Sequence, residues 1–434
     1  MISLLQDLSR NINNIRLYNN QIFKTNKIDK NRINILSDEK QSYIFIPENM
    51  CLFQSTLIID NIENIQNDPL IQQAIRIGLI PLVESKINEV NLENKWSKIG
   101  IHFFLTSKCN MTCDYCVFSK KNVYSKYTDE FSFEEIVNRI QEIVNVIQPQ
   151  EIDFTFTGGE PFLEFKRMQM LVNFIKNFCK NKKISFSFQV TTNGTILTKQ
   201  MLLFLVENKI KVTISVDGNR DWYNKTYNEN IFNIIMHNFN ILKKFCICNI
   251  HMTIEKEPVN LEERLLFLYG LTPNNLIVSP DILNPISNDT IEKIIEIDKH
   301  QILSQNKMIN YSFKRIFNII NNFEYHDFGC GAGKNLFAIN NHGKIIPCSY
   351  FHGIEKQTFN SMETLNQHNT SISVNKNIVC KNCISKYICG GGCLYKQHLT
   401  DYEVINESSI KSFCLYLNTV LKYIIYNFTK IKSL

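Results

Sequence analysis

The sequence predicts an α/β protein built on a parallel sheet, and three observations carry that prediction. Six short β-rich runs fall between residues 101 and 281, helical periodicity fills the intervals between them, and a cysteine-dense region follows the block. The runs are IHFFLT (101–106), EIDFTFT (151–157), SFSFQVTTN (185–193), KVTISVD (211–217), CNIHMTI (248–254) and LIVSPD (276–281). Between the first two, Phe133, Ile136, Val137, Ile140, Ile143 and Val144 recur at three- and four-residue intervals, the spacing of one helix face. Six successive strand–helix units give a parallel sheet, either open or curled into an incomplete barrel.

Two further pieces flank this block. The first 95 residues lack the βα rhythm but hold a strand-like SYIFIP (42–47) and a helix-like NDPLIQQAIRIG (67–78), which reads as a small appended domain. The cysteine-dense region, from about Phe328 to Cys414, reads as a metal-stapled module closed by a buried amphipathic helix at Leu415 to Phe428. The expected boundaries are 1–95, 96–310 and 326–434.

Composition narrows the function classes. The chain has 434 residues, 44% of them hydrophobic and 20% charged, enough to bury a sizeable core without staples. No uncharged apolar run is long enough for a membrane span. The amino terminus, MISLLQDLSRNINN, has no apolar core followed by a small-residue cleavage site, so the expectation is a cytoplasmic protein. A net charge of +6 dispersed among Asn and Ile residues argues against nucleic acid as a partner. Fourteen cysteines in a reduced compartment point to metal ligation rather than disulfides.

Their spacing is specific. Cys109, Cys113 and Cys116 stand in TSKCNMTCDYCVFS, directly after the first strand, as C-x3-C-x2-C. Three close thiolates leave one iron of a [4Fe-4S] cluster open. Structural zinc would ordinarily close with a fourth nearby ligand, and His102 lies within a strand instead.

This spacing, with the aromatic Tyr115 before the last cysteine, resembles the signature of the radical S-adenosylmethionine (SAM) superfamily. The resemblance runs over roughly residues 100–434 and implies a partial (β/α)6 TIM-like barrel. It further implies that SAM chelates the open iron and is cleaved to a 5'-deoxyadenosyl radical, which takes a hydrogen atom from substrate, with a reduced flavodoxin or ferredoxin as electron donor. Gly158, Gly159, Glu160 and Pro161, after the second strand, resemble the segment that receives the SAM methionine. Asn193, at the end of strand three, and Ser215 and Asp217, at the end of strand four, resemble segments near its ribose and carboxylate, Ser215 being the better contact. Asn-Gly and Asp-Gly are also ordinary turn formers. All these motifs lie at carboxyl ends of parallel strands, where βα folds assemble active sites. The segment NRDWYNKTYN departs from the family pattern, which often has a histidine-aspartate pair and then an arginine here; neither Arg220 nor Lys225 is assigned that role.

The second array is C-x12-G-x4-C, then C-x2-C-x5-C-x3-C, then a last cysteine: Cys330, Cys348, Cys380, Cys383, Cys389, Cys393 and Cys414. It resembles the SPASM domain of radical SAM enzymes that act on peptides and proteins. The resemblance implies two auxiliary [4Fe-4S] clusters, one on Cys380, Cys383, Cys389 and Cys414, the other on Cys330, Cys348 and Cys393 with one site left for another ligand. Cys51, Cys179, Cys246 and Cys248 read as small core residues. The combination implies a maturase that installs a thioether or carbon–carbon crosslink in a ribosomally made precursor peptide, whose leader the first 95 residues could receive on a winged-helix sheet edge. The alternatives are a sulfatase-maturating enzyme forming formylglycine and a non-catalytic iron-sulfur interaction protein. No proton acceptor for catalysis is singled out.

Overall fold

Alternation of polar and apolar residues sets the character of the central strands. In Glu151–Thr157, Ile152, Phe154 and Phe156 are buried while Glu151, Asp153, Thr155 and Thr157 are half-buried. A parallel sheet covered on both faces would read as a continuous apolar run. Here one face packs into the core and the other lines a polar interior, the pattern of strands curled into an incomplete barrel. The computed structural model describes residues 2–6, 28–83, 96–120, 130–255, 257–281, 285–303, 310–324, 326, 329–368, 374–401 and 407–432.

Twelve strands form two sheets among the described residues. β1 (Ile2–Leu4), β2 (Asn34–Ser37), β3 (Ser42–Ile46) and β4 (Cys51–Ser55) make an antiparallel sheet in the order β1-β4-β3-β2, beside α1 (Pro69–Arg76). β5 (Lys98–Phe104), β6 (Glu151–Thr157), β7 (Ser185–Thr192), β8 (Lys211–Ser215), β9 (Cys248–Ile254) and β10 (Leu276–Pro280) are the six expected parallel strands, each paired with the next in sequence order. The sheet does not stop at β5. LFAI of β11 (Leu336–Ile339) adds to its free edge in parallel, pairing Leu336 with Gly100, and β12 (Ile345–Ile346) follows antiparallel. Part of the cysteine-dense region is thus continuous with the barrel sheet.

The helices run in order as α2 (Val117–Lys120), α3 (Phe133–Ile147), α4 (Phe165–Lys182), α5 (Lys199–Glu207), α6 (Arg220–Thr226), α7 (Glu229–Phe245), α8 (Leu261–Gly270), α9 (Asn288–Leu303) and α10 (Tyr311–Asn321). In α3 the buried set Ile136, Ile140, Ile143 and Val144 is the stripe its spacing predicts. The carboxy-terminal part adds α11 (Met362–Gln367), α12 (Lys386–Cys389), α13 (Leu394–Asp401), α14 (Glu407–Tyr426) and α15 (Phe428–Lys432). α14 packs on α10 and reaches the amino-terminal sheet, where the Tyr43 hydroxyl donates to the Tyr426 carbonyl at 3.0 Å and the two rings meet edge to face. Gln6 also ties that sheet down, donating to the carbonyls of Met50 and Ile320. No described helix is long and apolar enough to cross a membrane.

Candidate active site at the carboxyl ends of the strands

The loop after β5 carries the first three cysteines, and the loop after β6 is laced to it. Gly159 N–H donates to the Thr106 carbonyl and Glu160 N–H to the Lys108 carbonyl, both at 2.8 Å. A Cβ on Gly159 would stand 2.0 Å from the Lys108 carbonyl oxygen, and one on Gly158, whose φ is +145°, 2.5 Å from that of Thr106. The paired glycines therefore let two backbones touch.

Glu160 is fully buried. One carboxylate oxygen accepts from Phe162 N–H at 3.1 Å and the Thr192 hydroxyl at 2.8 Å, and the other accepts from Asn193 N–H at 2.8 Å. Burial still pushes its pKa up. Its oxygens thus bind the ends of β6 and β7 together, while Pro161 opens the short 3-10 turn that follows and is itself buried. The turn that Asn193 makes is oriented by this contact. Its side-chain amide donates to Asn110 at 2.9 Å and lies 3.8 Å from Cys109 Sγ, which also accepts from Met111 N–H at 3.4 Å.

On the other side of the loop, the Tyr115 hydroxyl donates to a carboxylate oxygen of Asp217. Asp217 is buried, which raises its pKa to about 6, and its other oxygen accepts from Thr253 N–H at 2.8 Å. The Asp217 carbonyl accepts from Arg264 Nε at 2.6 Å. Arg264, completely buried on α8, stacks over Trp222 and pairs with Glu255 at 3.0 Å; Trp222 Nε1 donates to that same carboxylate. The segment that departed from the family pattern therefore packs Trp222 on an arginine brought from α8. Arg220 instead pairs with Glu229 at the surface, and Lys225 is exposed. Ser215 ends β8 half-buried, in register with His251 of β9. The chain thus brings Tyr115, Gly158 to Pro161, Asn193, Ser215 and Asp217 to one end of the sheet, beside the cysteine loop.

The later cysteines fall into two spatial groups. Cys330, Cys348 and Cys393 lie within mutual electrostatic reach, as do Cys380, Cys383, Cys389 and Cys414. Cys348 is buried beside β12, and burial pushes the Cys393 thiol up to about 11 and Cys389 to about 12. Gly390, Gly391 and Gly392, all at positive φ, turn the chain from Cys389 back to Cys393, a path that residues with a Cβ rarely take. A cavity of about 150 Å³ opens among the four-cysteine group. A soft, all-thiol donor set around such a cradle suits an iron-sulfur cluster. No group of three or more His, Cys, Asp or Glu among the described residues is arranged around a single metal ion. Tyr350 joins the two regions: its hydroxyl is within electrostatic reach of Cys116, Cys348, Cys393 and Asp281, and its ring stacks near Tyr395 and Phe118. Sequence reasoning missed Tyr350, Asp281 and Arg264, for none belongs to a spaced motif. Cys51, Cys179 and Cys248 are fully buried, and Cys246 is half-buried at the end of α7.

Residues 103–268 match the family described as the Radical SAM superfamily, so this part of the chain carries a domain of that kind. Its cofactors are those of that superfamily, a [4Fe-4S] cluster and SAM. The chain is 25% identical over 327 residues to a cysteine-type anaerobic sulfatase-maturating enzyme of Clostridium novyi, covering 66% of this chain and 85% of that one. A shorter match, 24% over 130 residues and 27% of each chain, is to the radical SAM cyclopropyl synthase TigE of Paramaledivibacter caminithermalis. In fold it is similar to the solved structure of native anSMEcpe with bound AdoMet, with a TM-score of 0.60, 18% identity, and coverage of 76% of this chain and 98% of that one.

Proposed function

We propose that this chain is a radical SAM maturase that abstracts a hydrogen atom from a peptide and installs an intramolecular thioether or carbon–carbon crosslink. In this reading Cys109, Cys113 and Cys116 hold the SAM-binding cluster. Cys380, Cys383, Cys389 and Cys414 hold one auxiliary cluster, and Cys330, Cys348 and Cys393 hold another with one non-cysteine site. The cluster, when bound, supplies the electron that cleaves SAM. The protein's own part is to orient the reactants and exclude water and stray hydrogens. Asn193 and Met111 polarise Cys109 through their N–H groups, and Tyr115 with Asp217 fixes the loop between Cys113 and Cys116.

The observation that carries the peptide reading is the juxtaposition of Cys348 and Cys393 with Cys116 of the first cysteine loop, bridged by Tyr350. A fold neighbour has been solved with AdoMet and the Kp18Cys peptide together, with a TM-score of 0.58. The amino-terminal sheet supports crosslinking in particular. About a quarter of this chain lies outside the anSMEcpe match, and β1 and β2 leave sheet edges on which a leader peptide could add a strand. Formylglycine formation on a sulfatase is the second reading, favoured by the names of several relatives.

Coexpression with a short cysteine-bearing peptide encoded beside the gene decides between them. Mass spectrometry should show loss of two hydrogens per crosslink with the peptide backbone intact. Conversion of a sulfatase-derived cysteine peptide to the aldehyde, with no change in the neighbouring peptide, would instead establish the second reading.

A further inference from the structure

Two lysines line the cavity among Cys380, Cys383, Cys389 and Cys414, and they are placed differently. Lys386, half-buried on α12, lies beside Cys380. Lys396, on α13, is 6% exposed, with its ammonium 5.4 Å from the Phe413 ring centroid. It also lies within electrostatic reach of Cys393, Asp281 and Cys414, so it stands between the two cysteine groups. A cation this deeply buried is retained where anions surround it, and its field is screened far less than that of a surface lysine.

We propose that Lys396 sets the reduction potential of the auxiliary clusters, its buried charge favouring the reduced state and so holding an electron in the carboxy-terminal region. Reduction adds one negative charge to a cluster. A fixed cation at the edge of its cage stabilises that product more than the oxidised form, and local charge is among the levers that set cluster potentials. Asp281, whose charge also reaches the ammonium, opposes the effect. The inference rests on the ligand assignment proposed above and adds to it a residue that is not itself a ligand.

The test is a dithionite titration of the anaerobically reconstituted full chain, followed by electron paramagnetic resonance. Lys396→Met should move the auxiliary midpoints to more negative potential and leave the SAM-binding cluster where it was. Lys396→Arg should stay near the parent, Lys386→Met should shift them less, and Asp281→Asn should shift them the opposite way. Lys396→Met with the parent's iron content and cluster signals but unmoved midpoints would overturn the inference alone, as would equal shifts in the two lysine variants. If the parent chain held iron for the SAM-binding cluster only, the ligand assignment and the inference would fall together.

Discussion

Gly159 shows how far a single atom matters at this site. Its missing Cβ is what lets the β6 loop hydrogen-bond the cysteine loop, since the alternative is a 2.0 Å clash with backbone. Gly159→Ala should therefore displace the loop, at a cost of about 1–3 kcal/mol by analogy with overpacking. We expect a lower denaturation midpoint and reduced iron content after reconstitution, and an unaffected midpoint would show that the two loops are not rigidly coupled. The Gly158-Gly159-Glu160 segment was legible in the sequence as a motif, but its local reasons were not. Spacing cannot reveal that both oxygens of Glu160 are occupied by Thr192, Phe162 and Asn193. Nor can it reveal Arg264, a lone arginine on a helix whose importance comes entirely from the groups packed around it.

Among the elements, those with strong periodicity were read correctly: the six parallel strands, α3 and α14. The short ones were not. β1, β2 and β4 carry three to five residues each, too few to establish a period, and β11 sits among glycines and asparagines that read as a turn-rich metal module. α1 falls within the helix-like stretch 67–78, and the structure shows its cap: Asp68 precedes Pro69, and its carboxylate accepts from Leu70 N–H at 2.9 Å. Asp68→Ala should cost about 1 kcal/mol, the usual worth of such a cap, seen as a lower urea midpoint with no change in SAM cleavage. The strands also carry two histidines, His102 and His251, whose pKa values burial lowers to about 4. A lowered folded-state value means the unfolded chain binds the proton more readily. The stability held at neutral pH is then full above about 6.5 and falls as pH drops toward 4. A His102→Gln/His251→Gln variant should show a flatter dependence of melting temperature on pH over that interval, and a parallel curve would assign acid lability to other groups.

At the scale of the molecule, one sheet adjoins both cysteine regions. β5 leads into Cys109, Cys113 and Cys116 from one of its ends, and β11, hydrogen-bonded alongside it, leads toward Cys348. This continuity was the least legible feature, since it depends on a pairing between residues more than two hundred positions apart. The cysteine grammar was the most legible, because ligand spacing must be written into the chain whatever surrounds it. The central claim is that the first triad makes the radical and the second array governs what receives it. The most direct measurement is 5'-deoxyadenosine formed from SAM and dithionite under anaerobic conditions, in the parent chain and in two variants. Cys113→Ala should abolish it, whereas Cys348→Ala should retain some cleavage while losing modified peptide. Undiminished 5'-deoxyadenosine in Cys113→Ala, or full peptide product in Cys348→Ala, would contradict the account.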